Sequence, residues 1–148
     1  MENLGGLENT EEKQTEEKVL DINEAKKKRK PFHYWTVGGR DYRLKLKAST
    51  IGKLENKYKK NMTNILLDDG IPPLSIMLTV IQAAMEPWEH NVSYTDVQKL
   101  YDKWAEEEGG NQTDLFSKTI IPLMAVSGFF TQKQAEDILE ELQENLQG

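Results

Sequence analysis

Apolar and polar residues alternate between Phe32 and Leu46, and Gly38-Gly39 interrupts the alternation near its centre. Glycine readily adopts the positive φ angles that a tight turn requires, so the segment predicts a β-hairpin over residues 32–46. The register of a two-residue turn assigns these apolar side chains to the core face: Trp35, Val37, Tyr42, Leu44 and Leu46, with His33 near its edge. The outer face receives Tyr34, Thr36, Asp41, Arg43 and Lys45.

After the hairpin, apolar residues recur every three or four positions, which is typical of amphipathic helices. A first helix is predicted to begin at a Ser49 or Thr50 cap and to continue or break near Asn61. The segment 68–73, with its glycine and two prolines, is predicted to end one element and begin the next. Residues 73–85 are the most apolar and predict a central helix that is almost surrounded.

The remaining signals divide the second half of the chain. Ser93 with Asp96, and Thr131 with Gln134, have the spacing of capping boxes and predict two helix starts. Pro122 lies inside a predicted helix over residues 114–126 and is expected to kink or split it. One hairpin cannot bury its own apolar face. The predicted fold class is therefore α+β, mostly α, with an N-terminal hairpin packed on about five helices.

Composition argues against several kinds of chemistry. Among the 148 residues there is no cysteine, and the only histidines are His33 and His90. We find no glycine-rich phosphate loop, zinc-ligand spacing or nucleophile elbow, and the clusters Asp68-Asp69 and Glu106–Glu108 lack the ligand alternation of a calcium loop. The sequence predicts a protein that is not an enzyme and that holds no cofactor or metal. Without a signal peptide or a membrane-length apolar run, it predicts a soluble cytoplasmic protein.

Charge is distributed unevenly along the chain, whose formal net charge is −6. Residues 1–31 lack aromatic side chains and predict a disordered charged tail, followed by a domain over residues 32–148. From Arg40 to Lys60 eight basic residues oppose two acidic ones, and from Lys99 to the end ten acidic residues oppose four basic ones. This asymmetry favours head-to-tail self-association or orientation on a partner. Alternatively, the two segments partly neutralise each other within one fold.

Exposed aromatic and basic side chains are the candidate partner contacts. Trp88 lies in a predicted loop, and the adjacent Phe129-Phe130 pair is hard to bury completely. Tryptophan and tyrosine are frequent hot spots of interfaces. The alternative is that these rings belong to the core. The predicted partner-binding residues are Tyr34, Arg43, Lys45, Lys53, Lys57, Trp88, Phe129 and Phe130.

Three stretches resemble the tail assembly chaperones of long-tailed bacteriophages and prophages, especially those of Gram-positive hosts. Gly39–Lys45 is similar to the opening strand of that family, Leu54–Tyr58 to its first helix, and Pro72-Pro73-Leu74 to the start of its second helical segment. The resemblance covers about residues 32–148. It implies a non-enzymatic assembly factor that binds the tape-measure protein before the tail tube polymerises. It also implies a second partner, the major tail tube protein, which many relatives recruit through a longer, frameshifted form.

A second function class remains open from the sequence. The basic run Lys26–Lys30 and the basic segment 40–60 are features of a small adaptor or regulatory protein that contacts nucleic acid. The run is equally explained as a solubilising linker before the domain. We therefore keep nucleic-acid binding as the alternative to the chaperone function, and we expect no membrane partner.

Overall fold

The computed structural model describes residues 30–147, so the predicted tail over residues 1–31 falls almost entirely outside the described range. The hairpin pairs β1 (His33–Val37) with β2 (Arg40–Leu44) in antiparallel register. Trp35 faces Tyr42, and the five predicted core-face side chains are buried, which confirms the predicted register. The turn glycines have φ angles of 59° and 80°, as the tight turn demands.

The other regular elements of the described chain are helices, which confirms the predicted fold class. The bounds are α1 (Ala48–Tyr58), α2 (Met62–Leu67), α3 (Leu74–Met85), α4 (Tyr94–Glu108), α5 (Gln112–Leu115), α6 (Ile121–Val126) and α7 (Gln132–Gln147). A π-helical segment, Phe116–Ile120, joins α5 to α6, so these three form one continuous stretch. Pro31–Gly148 contains all of these elements in one compact unit.

The predicted cap of the first helix is wrong. The helix begins at Ala48, before Ser49 and Thr50, and its cap residue is Lys47, whose side chain makes no capping hydrogen bond. The preceding chain explains this early start: the Lys45 N–H donates to the Ala84 carbonyl at 3.1 Å and the Leu46 N–H to Ser127 Oγ at 2.9 Å. Those bonds fix the direction in which the chain enters α1.

The break near Asn61 is real. Lys59 adopts a left-handed conformation with φ 58° and ends α1. The Asn61 side chain then accepts a hydrogen bond from the Asn64 N–H at 2.8 Å and begins α2. Both predicted capping boxes also form, at Ser93 and at Thr131.

Pro122 lies where a π-helical segment interrupts the predicted helix. The helix begins at Gln112, two residues before the predicted start, because the Asn111 side chain accepts from the Asp114 N–H at 2.9 Å. Proline has no N–H and its ring crowds the carbonyl four residues earlier. The π segment ends just before it, with the Ile121 N–H donating to the Phe116 carbonyl, and so widens the turn where that crowding would occur.

Helix α3 lies at the centre of the core, as predicted. Six of its side chains are buried: Met77, Leu78, Val80, Ile81, Ala84 and Met85. It packs against β2, α1, α4 and the π segment. The hairpin is thereby held on the helices through its core face, and its outer face is left toward solvent.

Gly52 gives a first test of the helical assignment. It is exposed inside α1, and a Cβ added there would meet no atom within 4 Å. Gly52→Ala is expected to raise the free energy of unfolding by about 0.5–1 kcal/mol, because alanine loses less conformational entropy in a helix. Chemical denaturation followed by circular dichroism measures the change. Gly39→Ala is the matched control, since its Cβ is equally unobstructed but its φ of 80° should make the change destabilising. Equal effects at both glycines would contradict the helical account.

Candidate partner-binding surface

Glu89 fastens the open edge of β2 to the turn that follows α3. It is 8% exposed. Its Oε2 accepts hydrogen bonds from the backbone N–H and from Nε of Arg43, both at 3.0 Å. Its Oε1 lies 3.6 Å from a guanidinium nitrogen of Arg40. One carboxylate therefore satisfies a strand-edge donor and pairs with two cations.

The pKa of Glu89 reflects these contacts. Burial raises the pKa of the carboxyl group, but the hydrogen bonds from Arg43 and the positive charges of Arg43 and Arg40 outweigh burial. The result is a pKa below the ordinary value of 4.5. Glu89 is therefore ionised at neutral pH, as its two arginine partners require.

Hydrogen bonds hold Arg43 and Trp88 in place on the outer face of the hairpin. The Arg43 guanidinium donates to the Trp88 carbonyl as well as to Glu89. The Trp88 indole Nε1 donates to the Lys45 carbonyl at 3.1 Å. Backbone hydrogen bonds from Trp88 and Glu89 to the Met85 carbonyl extend the end of α3 by a turn and orient both side chains. The indole is thus fixed by its polar atom, while its ring remains half-exposed.

Aromatic rings and cations meet around this indole. Phe32 contacts Trp88 edge-on with ring centroids 4.9 Å apart, and contacts Tyr34 with centroids 6.3 Å apart. Lys47 Nζ lies 5.1 Å from the Trp88 ring centroid, and the Arg43 guanidinium lies 5.9 Å from that of Phe32. These distances are in the range of cation–π attraction. We call this cluster the hairpin aromatic surface; its members are Phe32, Tyr34, Arg43, Lys47 and Trp88.

Three of the predicted partner-binding residues belong to this surface: Tyr34, Arg43 and Trp88. Tyr34 is 48% exposed and stands directly across from Arg43 in the hairpin. Lys45 borders the surface and is half-buried. The structure thus places Tyr34 and Trp88 in one cluster, although they are 54 positions apart in the sequence.

The other predicted contacts lie elsewhere. Lys53 and Lys57 are exposed on α1, four residues apart, and Lys57 Nζ lies 5.4 Å from the Tyr58 ring centroid. Phe129 and Phe130 are half-buried before α7 and pack against the core. The exposed predicted contacts therefore lie at two separate places, the hairpin aromatic surface and a basic face of α1.

Sequence reasoning missed Phe32, Lys47 and Glu89. Phe32 carried a signal, because it lies two residues before Tyr34 and therefore shares the outer face of β1. Lys47 had none, since its position over Trp88 depends on where α1 begins. Glu89 had none either, because its main partner, Arg43, is 46 positions away.

Other kinds of site have less support in the described residues. No group of three or more His, Asp or Glu side chains is placed there to hold a metal ion. An open groove of about 340 Å³ lies between α3 and α4, with Leu74, Leu78, Tyr101 and Asp102 among its walls. Burial and the charge of Asp102 raise the pKa of the Tyr101 phenol, which is therefore a neutral hydroxyl at physiological pH.

In the part of the chain that the structure describes, we find no helix with the length and apolar character needed to cross a membrane.

Comparison with known proteins assigns a family. A family model described as "Family of unknown function (DUF6096)" matches residues 26–145. The chain belongs to the DUF6096 family. The match includes the hairpin, the hairpin aromatic surface and the helices through most of α7. This DUF6096 chain has no significant match among curated proteins and none among solved structures.

Proposed function

We propose that the protein is a non-enzymatic tail assembly chaperone of a long-tailed phage or prophage. It binds the tape-measure protein in the cytoplasm of the bacterial host, before the tail tube forms, and helps to recruit tail tube subunits. The observation that carries the proposal is the hairpin aromatic surface. Its strand β2 lies within Gly39–Lys45, one of the stretches that resemble the chaperone family.

The composition of this surface suits the binding of another protein. Aromatic and arginine side chains are enriched at the energetically dominant positions of interfaces. Here Arg43 and Trp88 are held by hydrogen bonds to Glu89 and to the Lys45 carbonyl, so little side-chain entropy remains to be lost on binding. A tape-measure protein exposes long helical segments until the tube covers them, and a fixed aromatic surface can shield such a segment from aggregation.

The ion pairs of Arg40 and Arg43 favour this function over nucleic-acid binding at the hairpin. Arg40 and Arg43 both pair with the buried carboxylate of Glu89, which neutralises one of their two positive charges. Phosphate binding instead favours cations that are free to pair with the nucleic acid backbone. Arg40 and Arg43 are therefore less available to phosphates than the other six cations of residues 40–60, which lie outside these ion pairs.

Co-expression with the tape-measure protein of the same genome tests the proposal. We expect the tape-measure protein to become soluble and to co-elute with the chaperone in size-exclusion chromatography. If it stays insoluble and unbound, the chaperone function is wrong. DNA binding that weakens steeply with salt would then support the adaptor function.

Tyr34→Ala tests whether the hairpin aromatic surface makes the contact. We expect the affinity for the tape-measure protein to fall by about 30-fold, the loss that corresponds to the ~2 kcal/mol of an interface hot spot. Tyr34 is half-exposed, so the fold should persist, and Tyr34→Phe should retain most of the binding. Thr36→Ala is the control, because Thr36 is exposed on the same strand face and lies outside the aromatic cluster. Equal affinities for Tyr34→Ala and wild type would exclude this surface as the binding site.

A further inference from the structure

Helix α1 presents a basic face that no other part of the described chain covers with an ion pair. Lys53 and Lys57 are exposed and four residues apart, so they lie on the same side of the helix about 6 Å apart along its axis. Lys60, also exposed, follows just after the helix ends. The main packing contacts of α1 are with α2 and α3, on its other side.

Helix α7 presents a face of opposite charge with the same spacing. Its apolar side, with Ala135, Ile138, Leu139 and Leu142, packs toward the core. The opposite side carries an exposed ladder of carboxylates at intervals of four residues: Glu136, Glu140 and Glu144. The nearby Lys133 has a raised pKa because of its hydrogen bond to Asp137, the charge of Asp137 and the charges of Glu136 and Glu140.

Among the described residues of one copy, no ion pair joins the basic face of α1 to the acidic face of α7. The ion pairs found among the described residues join Arg40 and Arg43 to Glu89, Lys118 to Asp114, and Lys133 to Asp137. None of them joins α1 to α7. The main packing contact of α7 is with α6.

We propose that the basic face of α1, through Lys53 and Lys57, binds the acidic face of α7, through Glu140 and Glu144, on a second copy of this chain. The matched intervals allow two lysines to face two glutamates at once. Because the two faces differ, a pair of copies keeps one free basic face and one free acidic face, and the contact propagates head to tail. Exposed ion pairs are individually weak and are screened by salt. The association is therefore weak for two copies alone and accumulates when many copies are brought together.

The test is zero-length carbodiimide cross-linking of the full chain at high concentration, using an equal mixture of ¹⁴N- and ¹⁵N-labelled protein. The expected products are mixed-isotope isopeptide bonds that join Lys53 or Lys57 to Glu136, Glu140 or Glu144. Their yield should fall about tenfold when salt rises from about 0.02 M to about 0.5 M, because the Debye length falls from about 20 Å to about 4 Å. Cross-links confined to single-isotope peptides, or no α1–α7 cross-links, would overturn the proposal.

Charge exchange separates this contact from non-specific attraction. The variants Lys53→Glu/Lys57→Glu and Glu140→Lys/Glu144→Lys should each lose self-association about tenfold or more, because their α1 and α7 faces carry like charges. Sedimentation velocity of an equal mixture of the two should show association restored, since each variant then meets a complementary face. Lys99→Glu/Lys103→Glu on α4 is the matched control, with the same charge change and spacing, and should associate like wild type. Loss of association in this control, or no recovery in the mixture, would refute the contact. These measurements need no tape-measure protein, so their outcome is independent of the proposed function.

Discussion

Glu89→Ala is expected to lower the free energy of unfolding by about 2–3 kcal/mol, since hydrogen bonds to charged groups and buried ion pairs are costly to break from one side. The change leaves the Arg43 backbone N–H without its acceptor at the edge of β2 and removes the partner of two guanidinium groups. We place the loss below that of a fully buried pair, because the Arg43 side chain is 44% exposed and water can partly replace the carboxylate.

Urea denaturation followed by tryptophan fluorescence and circular dichroism measures this loss. Glu86→Ala is the matched control: Glu86 is exposed three residues earlier, and its carboxylate accepts a hydrogen bond from the Gln82 side chain at 3.3 Å. Its removal should cost less than about 0.5 kcal/mol. Because Glu89 also orients Arg43, Glu89→Ala should weaken binding at the hairpin aromatic surface. A stability equal to that of Glu86→Ala would show that Glu89 does not hold the hairpin.

The lowered pKa of Glu89 makes its contribution depend on pH. In the unfolded chain the carboxyl group titrates near its ordinary value of 4.5, and in the fold it titrates below that value. Its stabilising effect is therefore complete above the unfolded pKa and is lost as the pH falls through the folded pKa. The stability difference between wild type and Glu89→Gln should be constant from about pH 7 to pH 5.5 and should shrink at lower pH. A difference that stays constant down to about pH 3 would contradict the assigned ion pairs.

The elements that could be predicted from the sequence are those with local causes. The hairpin register follows from a two-residue glycine turn and a two-residue alternation, both contained within residues 33–44. The capping boxes at Ser93 and Thr131 likewise close within four residues. The predicted cap of α1 was wrong because the start of this helix has a non-local cause. Lys45 and Leu46 are bonded to Ala84 and to Ser127, so distant residues determine where the helix begins.

The candidate site could be predicted only in part for the same reason. The outer position of Tyr34 and Arg43 follows from strand alternation, and the partial exposure of Trp88 follows from its place after α3. The contacts that join them require the hairpin to lie against the end of α3. Pro122 was also predicted only in part. The proline predicts that its helix is interrupted, but it does not predict the π-helical form, in which Phe116, Ile120 and Ile121 are all buried in the core. That choice depends on packing from both sides of the helix.

Gly110→Ala is expected to lower the free energy of unfolding by about 1–3 kcal/mol, the usual cost of overpacking a well-filled region. A Cβ built on Gly110 would overlap the six-membered ring of Trp104. The indole has little room to move away, because Trp35 contacts it edge-on with centroids 6.1 Å apart and Tyr101 contacts it at 5.9 Å. Strain must therefore pass into the loop between α4 and α5, where the Gly110 N–H donates to the Trp104 carbonyl at 3.4 Å.

A double-mutant cycle with Trp104→Leu isolates this clash from other effects of the substitution. Leucine removes the ring that the new methyl group would meet, so Gly110→Ala should cost at least about 1 kcal/mol less in that background than in wild type, a coupling typical of residues in contact. Thermal and urea unfolding of the four proteins supply the cycle. If the cost is the same in both backgrounds, the loop conformation and not the indole requires glycine. If Gly110→Ala costs less in the Trp104→Leu background, the indole of Trp104 is what requires glycine at position 110. The ring that lies against Trp35 of the hairpin then limits how closely the chain can pass from α4 into α5.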